Sequence, residues 1–328
     1  MISITRLPAG LRKSLRATLI RRPPGQLSRR FRQLDAPSME RLGTCLKAHY
    51  FSHTYLLSEE GQNDFQDHLI RRTNTFRTTV IPWLANARAL NGAAILEIGC
   101  GTGSSTVALA EQGARVAAID ISEGSLTVAQ ERCSLYGLDV SFAQANATEA
   151  HRVFSGQHFD FLIFFATLEH MTHNERLAAM SSTWAMLPKG SLWGVVDTPN
   201  RLWFFDNHTS WLPFYHWLPN DLAFAYSRFS PRDTLSGRYR ERDDRAMLDF
   251  LRQGRGVSFH EFELTLGRVA DLNVLSSLPL FLREQNFLRR AVWRLSDESR
   301  YATLLANTGP PIHQGFYEQY LNLIIQKV

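Results

Sequence analysis

Ile95–Thr106 reads ILEIGCGTGSST, and the rest of the chain is best read outward from it. An apolar run enters Gly99, Gly101 and Gly103, and small helix-compatible residues follow, so a strand, a tight turn and a helix are expected in that order. Glycines at such a corner let the backbone approach a ligand without interference from a Cβ. Their spacing is GxGxG, one residue tighter than the GxGxxG usual for dinucleotides. Glu97 stands two residues before the first glycine, where a carboxylate can meet an ammonium group. Asp120 lies 17 residues past Gly103, at the end of the next apolar run, where an acid can accept both hydroxyls of a ribose. Together the two acids favour a ligand with a positive amino-acid end and a ribose; Glu97 would repel a pyrophosphate.

The same alternation continues on both sides. Strands are expected at Ala93–Ile98, Arg115–Ile119, Val140–Ala143, Phe159–Phe165 and Ser191–Asp197, with helices at Ser104–Gln112, Leu126–Tyr136 and Asn174–Leu187. This order means right-handed crossovers and a mostly parallel sheet, which binds ligands at the carboxyl ends of its strands. Before it, residues 61–86 carry apolar side chains at helical spacing. After it, the alternation stops at Asn200 and resumes with a strand at Val257–Leu264, a helix at Leu280–Leu295 and a last strand at Tyr320–Gln326. The organisation expected is a basic arm and helical segment (1–90), a ligand-binding core (91–200), an aromatic-rich insertion acting as a substrate lid (201–255), and strands and helix completing the core (256–328).

These residues resemble class I S-adenosylmethionine (SAM)-dependent methyltransferases. The resemblance covers residues 94–200 and rests on EIGCGTG at 97–103, AAIDIS at 117–122, Ala145-Asn146-Ala147, HFDFLIFF at 158–165, LEHM at 168–171 and LPKGSLWGVVDTPN at 187–200. It implies an α/β fold, doubly wound, with a seven-stranded mostly parallel sheet whose last strand is antiparallel. It also implies SAM as cofactor, held by Glu97, Gly99, Gly101, Gly103, Asp120, Ile121, Asn146 and Ala147. Where the family commonly has an Asp against adenine, this chain has Asn146, whose amide oxygen can accept from the adenine amino group in its place.

Glu169 and His170 follow the fourth strand and are candidates for catalysis. The pair resembles the ubiquinone-biosynthesis type of methyltransferase, in which a Glu three residues earlier helps to bind a metal. That position is Ala166 here, and no metal is expected. In the insertion, Asp206 and His208 could form an acid–imidazole pair, with the carboxylate orienting the ring and His208 taking the acceptor's proton. The spacing of Asp206, His208 and His216 matches no standard ligand pattern. Nine of the 26 residues at 201–226 are aromatic, a density that suits a lid, a membrane-inserting surface or a small satellite core.

Charge is unevenly placed. Residues 1–34 hold nine basic residues and no acid, and with a formal net charge of +5 this leaves −4 for the remainder. A broad nucleic-acid footprint over the main body is therefore not expected. The arm fits a solvated extension, an amphipathic helix on an anionic membrane surface, or a targeting segment. Three scattered cysteines suit a reducing compartment, and no apolar run approaches membrane-spanning length. The expectation is a cytoplasmic methyltransferase, free or peripheral to a membrane, that O-methylates a small-molecule or lipid- or sugar-linked acceptor. RNA methylation through the arm and silent SAM binding are the alternatives; NPPY-like and Pro-Cys motifs of DNA enzymes are absent from the sequence.

Overall fold

The computed structural model describes residues 31–237 and 242–328. Most of the basic arm, residues 1–30, lies outside them, and with it the expected membrane contact.

Seven strands form one sheet: β1 (Ala94–Ile98), β2 (Arg115–Asp120), β3 (Ser141–Gln144), β4 (Phe161–Phe165), β5 (Leu192–Pro199), β6 (Asn273–Ser277) and β7 (Tyr320–Gln326). Their order is β3-β2-β1-β4-β5-β7-β6, and β7 runs antiparallel to both its neighbours while the other pairings are parallel. The expected sheet is thus present, with its strand reversal at the last strand. β4 is buried along its whole length, as a central parallel strand must be when helices cover both faces. Phe161, Ile163 and Phe165 pack on one side with Val80, Ile81 and Leu84, whereas Leu162 and Phe164 pack on the other with Ala179, Met180 and Phe262. The period of two along one strand therefore serves two separate cores.

Two later elements differ from expectation. Val257–Leu264 is not a strand: Ser258 and Glu261 form a reciprocal capping box, and the chain runs as a helix over Phe259–Thr265. The short apolar run concealed this, and the sixth strand lies further on, at Asn273–Ser277. The helix expected over Leu280–Leu295 is two, Leu278–Glu284 and Phe287–Arg294, because Asn286 caps the second by accepting from the Arg289 amide.

Buried arginines fasten the segments around the sheet. Arg132 is fully buried and donates to the carbonyls of Thr102 at 2.7 Å and His68 at 2.7 Å, tying the glycine turn to the preceding helices. Arg176, equally buried, donates to the carbonyls of Leu168 at 2.8 Å and Arg255 at 2.8 Å, tying the turn after β4 to the far end of the insertion. That end also meets the chain just past β5, through a bridge from Asn200 to Val257.

Arg77 and Glu111 form a buried two-point ion pair, Nε to Oε1 and Nη2 to Oε2, both at 2.7 Å. Replacing Arg77 by alanine leaves Glu111 buried without its counter-charge and is expected to cost about 3–5 kcal/mol of stability in urea unfolding. A loss below about 1 kcal/mol would show the carboxylate to be well solvated without its partner.

Candidate active site

The glycine turn joins the carboxyl end of β1 to the helix Ser104–Ala110. Gly99, Gly101 and Gly103 all have positive φ. At Gly99 a Cβ would fall 2.2 Å from Thr167 Oγ1, so the glycine loop and the turn after β4 are pressed together. At Gly101 a Cβ would meet nothing within 4 Å, so the backbone there faces open space, as a ligand cradle requires. Asp120 ends β2 directly behind it. Its Oδ2 accepts from the Gly101 amide at 2.8 Å and its Oδ1 from the Ser122 amide at 2.9 Å. Each carboxylate oxygen keeps a further lone pair for a ribose hydroxyl. Ile121 beside it is 63% exposed, an apolar face available to a flat base. The cradle, Asp120 and Ile121 fit the adenosine part of SAM.

Two expected cofactor contacts are differently used. Glu97 is fully buried, and its oxygens are taken by the hydroxyls of Ser105 and of Thr106, the latter at 2.6 Å. It pins the helix to the strand from a position closed to solvent. Burial pushes its carboxyl up to about 7, against the two hydroxyl bonds, with the Asp120 charge adding to the rise. Asn146 accepts through Oδ1 from the amide of Thr148 at 3.0 Å and its hydroxyl at 2.9 Å, capping the turn Ala147–Glu149. That oxygen closes a local turn, as short amide side chains readily do, and Ala147 is buried behind it.

The raised Glu97 carboxyl gives a stability prediction. From about pH 4.5 to about pH 7 the unfolded chain has lost a proton that the folded chain keeps, so stability falls as pH rises through that window. The swing is on the order of 3 kcal/mol at about 1.4 kcal/mol per pKa unit. Glu97→Gln is expected to flatten the fall measured by urea unfolding between about pH 5 and about pH 8. Parallel profiles for the two proteins would mean that folded Glu97 is ionised throughout.

The helices before β1 contribute residues that no motif announced. A π-helical turn at Asp67–Arg71 aims His68 inward, and its Nδ1 lies 2.9 Å from Thr102 Oγ1 in the glycine turn. Burial, with Arg72 and Arg132 nearby, pushes the imidazole down to about 2, so it is neutral. Tyr50 lies against it with the rings tilted, 4.6 Å between centroids. The only trace in the sequence was helical spacing, which marks a packed face and not a ligand wall.

The catalytic candidates gather at the carboxyl end of β4, but in another pairing than expected. Ala166, with φ 43°, bends the chain out of the strand, and Leu168–His170 makes one 3₁₀ turn. Glu169 is wholly buried there, and Oε2 accepts from Thr198 Oγ1 at 3.1 Å. His208 reaches in from the insertion and places Nε2 3.7 Å from Glu169 Oε1; His170 Nε2 lies 3.9 Å from the same oxygen. Asp206 does not orient His208. Its carboxylate accepts from the amides of His208 at 2.8 Å, Thr209 at 3.0 Å and Ser210, and so builds the loop. The ring it faces is His216, whose Nε2 lies 3.2 Å from Oδ1. His216 Nδ1 accepts from the Gly256 amide at 3.1 Å, which puts the ring proton on Nε2, toward the acid. Burial would raise the Asp206 carboxyl, but His216 and the loop amides outweigh it and hold it below the usual carboxylate range. The reason for the re-pairing is geometric: an Asx turn brings the amide of His208 to Asp206 and swings its ring away.

The turn-and-acid cradle on this strand order defines a class I SAM-dependent methyltransferase fold. Residues 95–190 match the family model described as a methyltransferase domain. The cypemycin N-terminal methyltransferase of a Streptomyces species is 45% identical over 53 residues, which are 16% of this chain and 22% of that protein. The ubiquinone biosynthesis O-methyltransferase of Azoarcus sp. (strain BH72) is 34% identical over 95 residues, 29% of this chain and 40% of the relative. The chain thus spans well under half the length of these curated relatives. Among solved structures, the magnesium protoporphyrin IX methyltransferase of Synechocystis PCC 6803 with bound SAH is 22% identical, covers 51% of this chain and 69% of its own, and gives a TM-score of 0.36.

Proposed function

We propose that this protein transfers a methyl group from SAM to a hydroxyl oxygen of a small-molecule acceptor. The observation that carries the reading is the contact at Gly99 and Thr167, which sets the SAM cradle against the turn bearing Glu169 and His170. SAM supplies an activated methyl on a sulfonium centre, so the protein's task is alignment, exclusion of water and removal of the acceptor's proton.

Each of these falls to named residues. Asp120 and the Gly101 amide fix the cofactor end. The insertion, whose ends meet at Asn200 and Val257, folds His208 over the carboxyl end of β4 and covers the cleft. Burial, with the neighbouring His170 ring adding to it, pushes the His208 imidazole down to about 3, so its ring is neutral and can accept a hydrogen bond from an acceptor hydroxyl. The Azoarcus relative, by its name an O-methyltransferase, supports oxygen as the accepting atom. Among the described residues no helix is long and apolar enough to cross a membrane. A lipid- or sugar-linked acceptor, with the basic arm on an anionic surface, is the finer form of this proposal.

The test is transfer of labelled methyl from SAM into a fractionated extract of the source cells. Label in the small aqueous or organic-soluble pool supports the reading, and the organic pool selects its lipid-linked form. Label confined to RNA or protein would overturn the acceptor class.

A further inference from the structure

We propose that Glu169, His170 and His208 hold a divalent transition-metal ion. Their ligand atoms lie within 4.8 Å of one another: one carboxylate oxygen and two imidazole nitrogens. The two histidines come from different parts of the chain, one from the turn after β4 and one from the insertion.

The hydrogen bonds around the cluster fix what each atom can offer. His170 Nδ1 lies 2.8 Å from the carbonyl of Arg252. A carbonyl only accepts, so the ring proton is on Nδ1 and Nε2 carries a lone pair. His208 Nδ1 lies 3.0 Å from Thr209 Oγ1, and that hydroxyl donates toward the carbonyls of Gln253 and Gly254 at 3.4 and 3.3 Å. Having spent its proton there, Thr209 accepts from Nδ1, and Nε2 of His208 is again the lone pair. Both nitrogens face Glu169 Oε1, at distances too long for hydrogen bonds. That oxygen is buried and has no hydrogen-bond partner, a costly state for a carboxylate in a protein interior. Three electron-rich atoms around one small space, each oriented by a backbone carbonyl or a threonine behind it, is how metal-binding histidines and carboxylates are held.

The spacing agrees. Two ligands each about 2.1 Å from an ion are at most about 4.2 Å apart. Both Glu169–histidine separations already satisfy that limit, and the imidazole pair needs to close by about 0.6 Å at most. Two nitrogens and one oxygen suit zinc, manganese, cobalt or ferrous iron, and leave positions open. Glu169 is at the back of the cluster; the side chains of His170 and His208 are 41% and 24% exposed, so the open positions lie on the cleft side. An acceptor hydroxyl is the ligand class these positions take, and a bound cation would lower its pKa, so His208 is a ligand where the ion is bound and the proton's acceptor only where it is not. The role given to the ion rests on the methyl-transfer reading; its binding does not.

The chelator-stripped full-length chain, without SAM or acceptor, would be titrated with Co2+ followed by visible absorption and with Zn2+ followed by calorimetry. One equivalent per chain is expected, with an absorption band from cobalt bound to imidazole. His208→Ala and His170→Ala should each weaken binding by at least about tenfold, while His173→Ala, which alters a neighbouring histidine outside the cluster, should not. Unfolding midpoints and a SAM titration on the same variants establish that they are folded. No saturable binding by the wild type, or binding that both cluster variants retain, would overturn the site. Metal binding without SAM binding would leave the site standing and refute the function proposed above.

Discussion

Replacing Asp120 by alanine is expected to weaken SAM binding by at least tenfold, and by about a hundredfold if both ribose hydroxyls are lost as partners. Each hydrogen bond to a charged acceptor contributes about 1.5–3 kcal/mol, and a tenfold change in affinity is about 1.4 kcal/mol. A second effect adds to the first. Asp120 Oδ2 also holds the Gly101 amide, so the variant loosens the one part of the glycine turn that faces open space. Calorimetric titration with SAM and with S-adenosylhomocysteine reads the loss, and Asp120→Asn, which keeps one acceptor oxygen, should fall between the two. Undiminished affinity in the alanine variant would remove Asp120 from the cofactor site.

His208→Ala carries the largest effect on turnover. Proton removal by a positioned group is typically worth about a hundredfold to ten-thousandfold, and a loss of at least about a hundredfold in kcat is expected on the acceptor found by methyl labelling. SAM affinity should hold, because His208 comes from the insertion and meets the turn after β4, while the adenosine cradle is built on β1 and β2. This split between turnover and cofactor binding distinguishes a role at the acceptor from general collapse of the site. A variant with undiminished turnover would mean that the His208 ring only packs the loop.

The strand, turn and helix around the glycines were legible because they are local. A strand, a turn needing positive φ and a helix follow one another within twelve residues, and Asp120 is reached through one βα crossover, whose geometry leaves little choice. The buried run of β4 was legible from its composition, and the reversal of β7 only from the resemblance. What failed was decided by competition at short range. Val257–Leu264 has a strand's apolar pattern, but a capping box at Ser258 and Glu261 commits it to a helix. Asp206 stands two residues from His208, close in sequence, yet its oxygens serve the loop's own amides first.

By itself, then, the sequence determined the first five strands, the position of the glycine turn and the acid behind it, since each depends on contacts between neighbouring elements. Only the tertiary structure decided that Glu97 is a buried clasp, that His68 supports the glycine turn from 34 residues away, and that Glu169, His170 and His208 meet. The last of these depends on where a long insertion returns to the sheet, fixed by Arg176 and by the bridge of Asn200 to Val257. Such closure is set by packing and by buried hydrogen bonds summed over many residues, and no spacing along the chain encodes it.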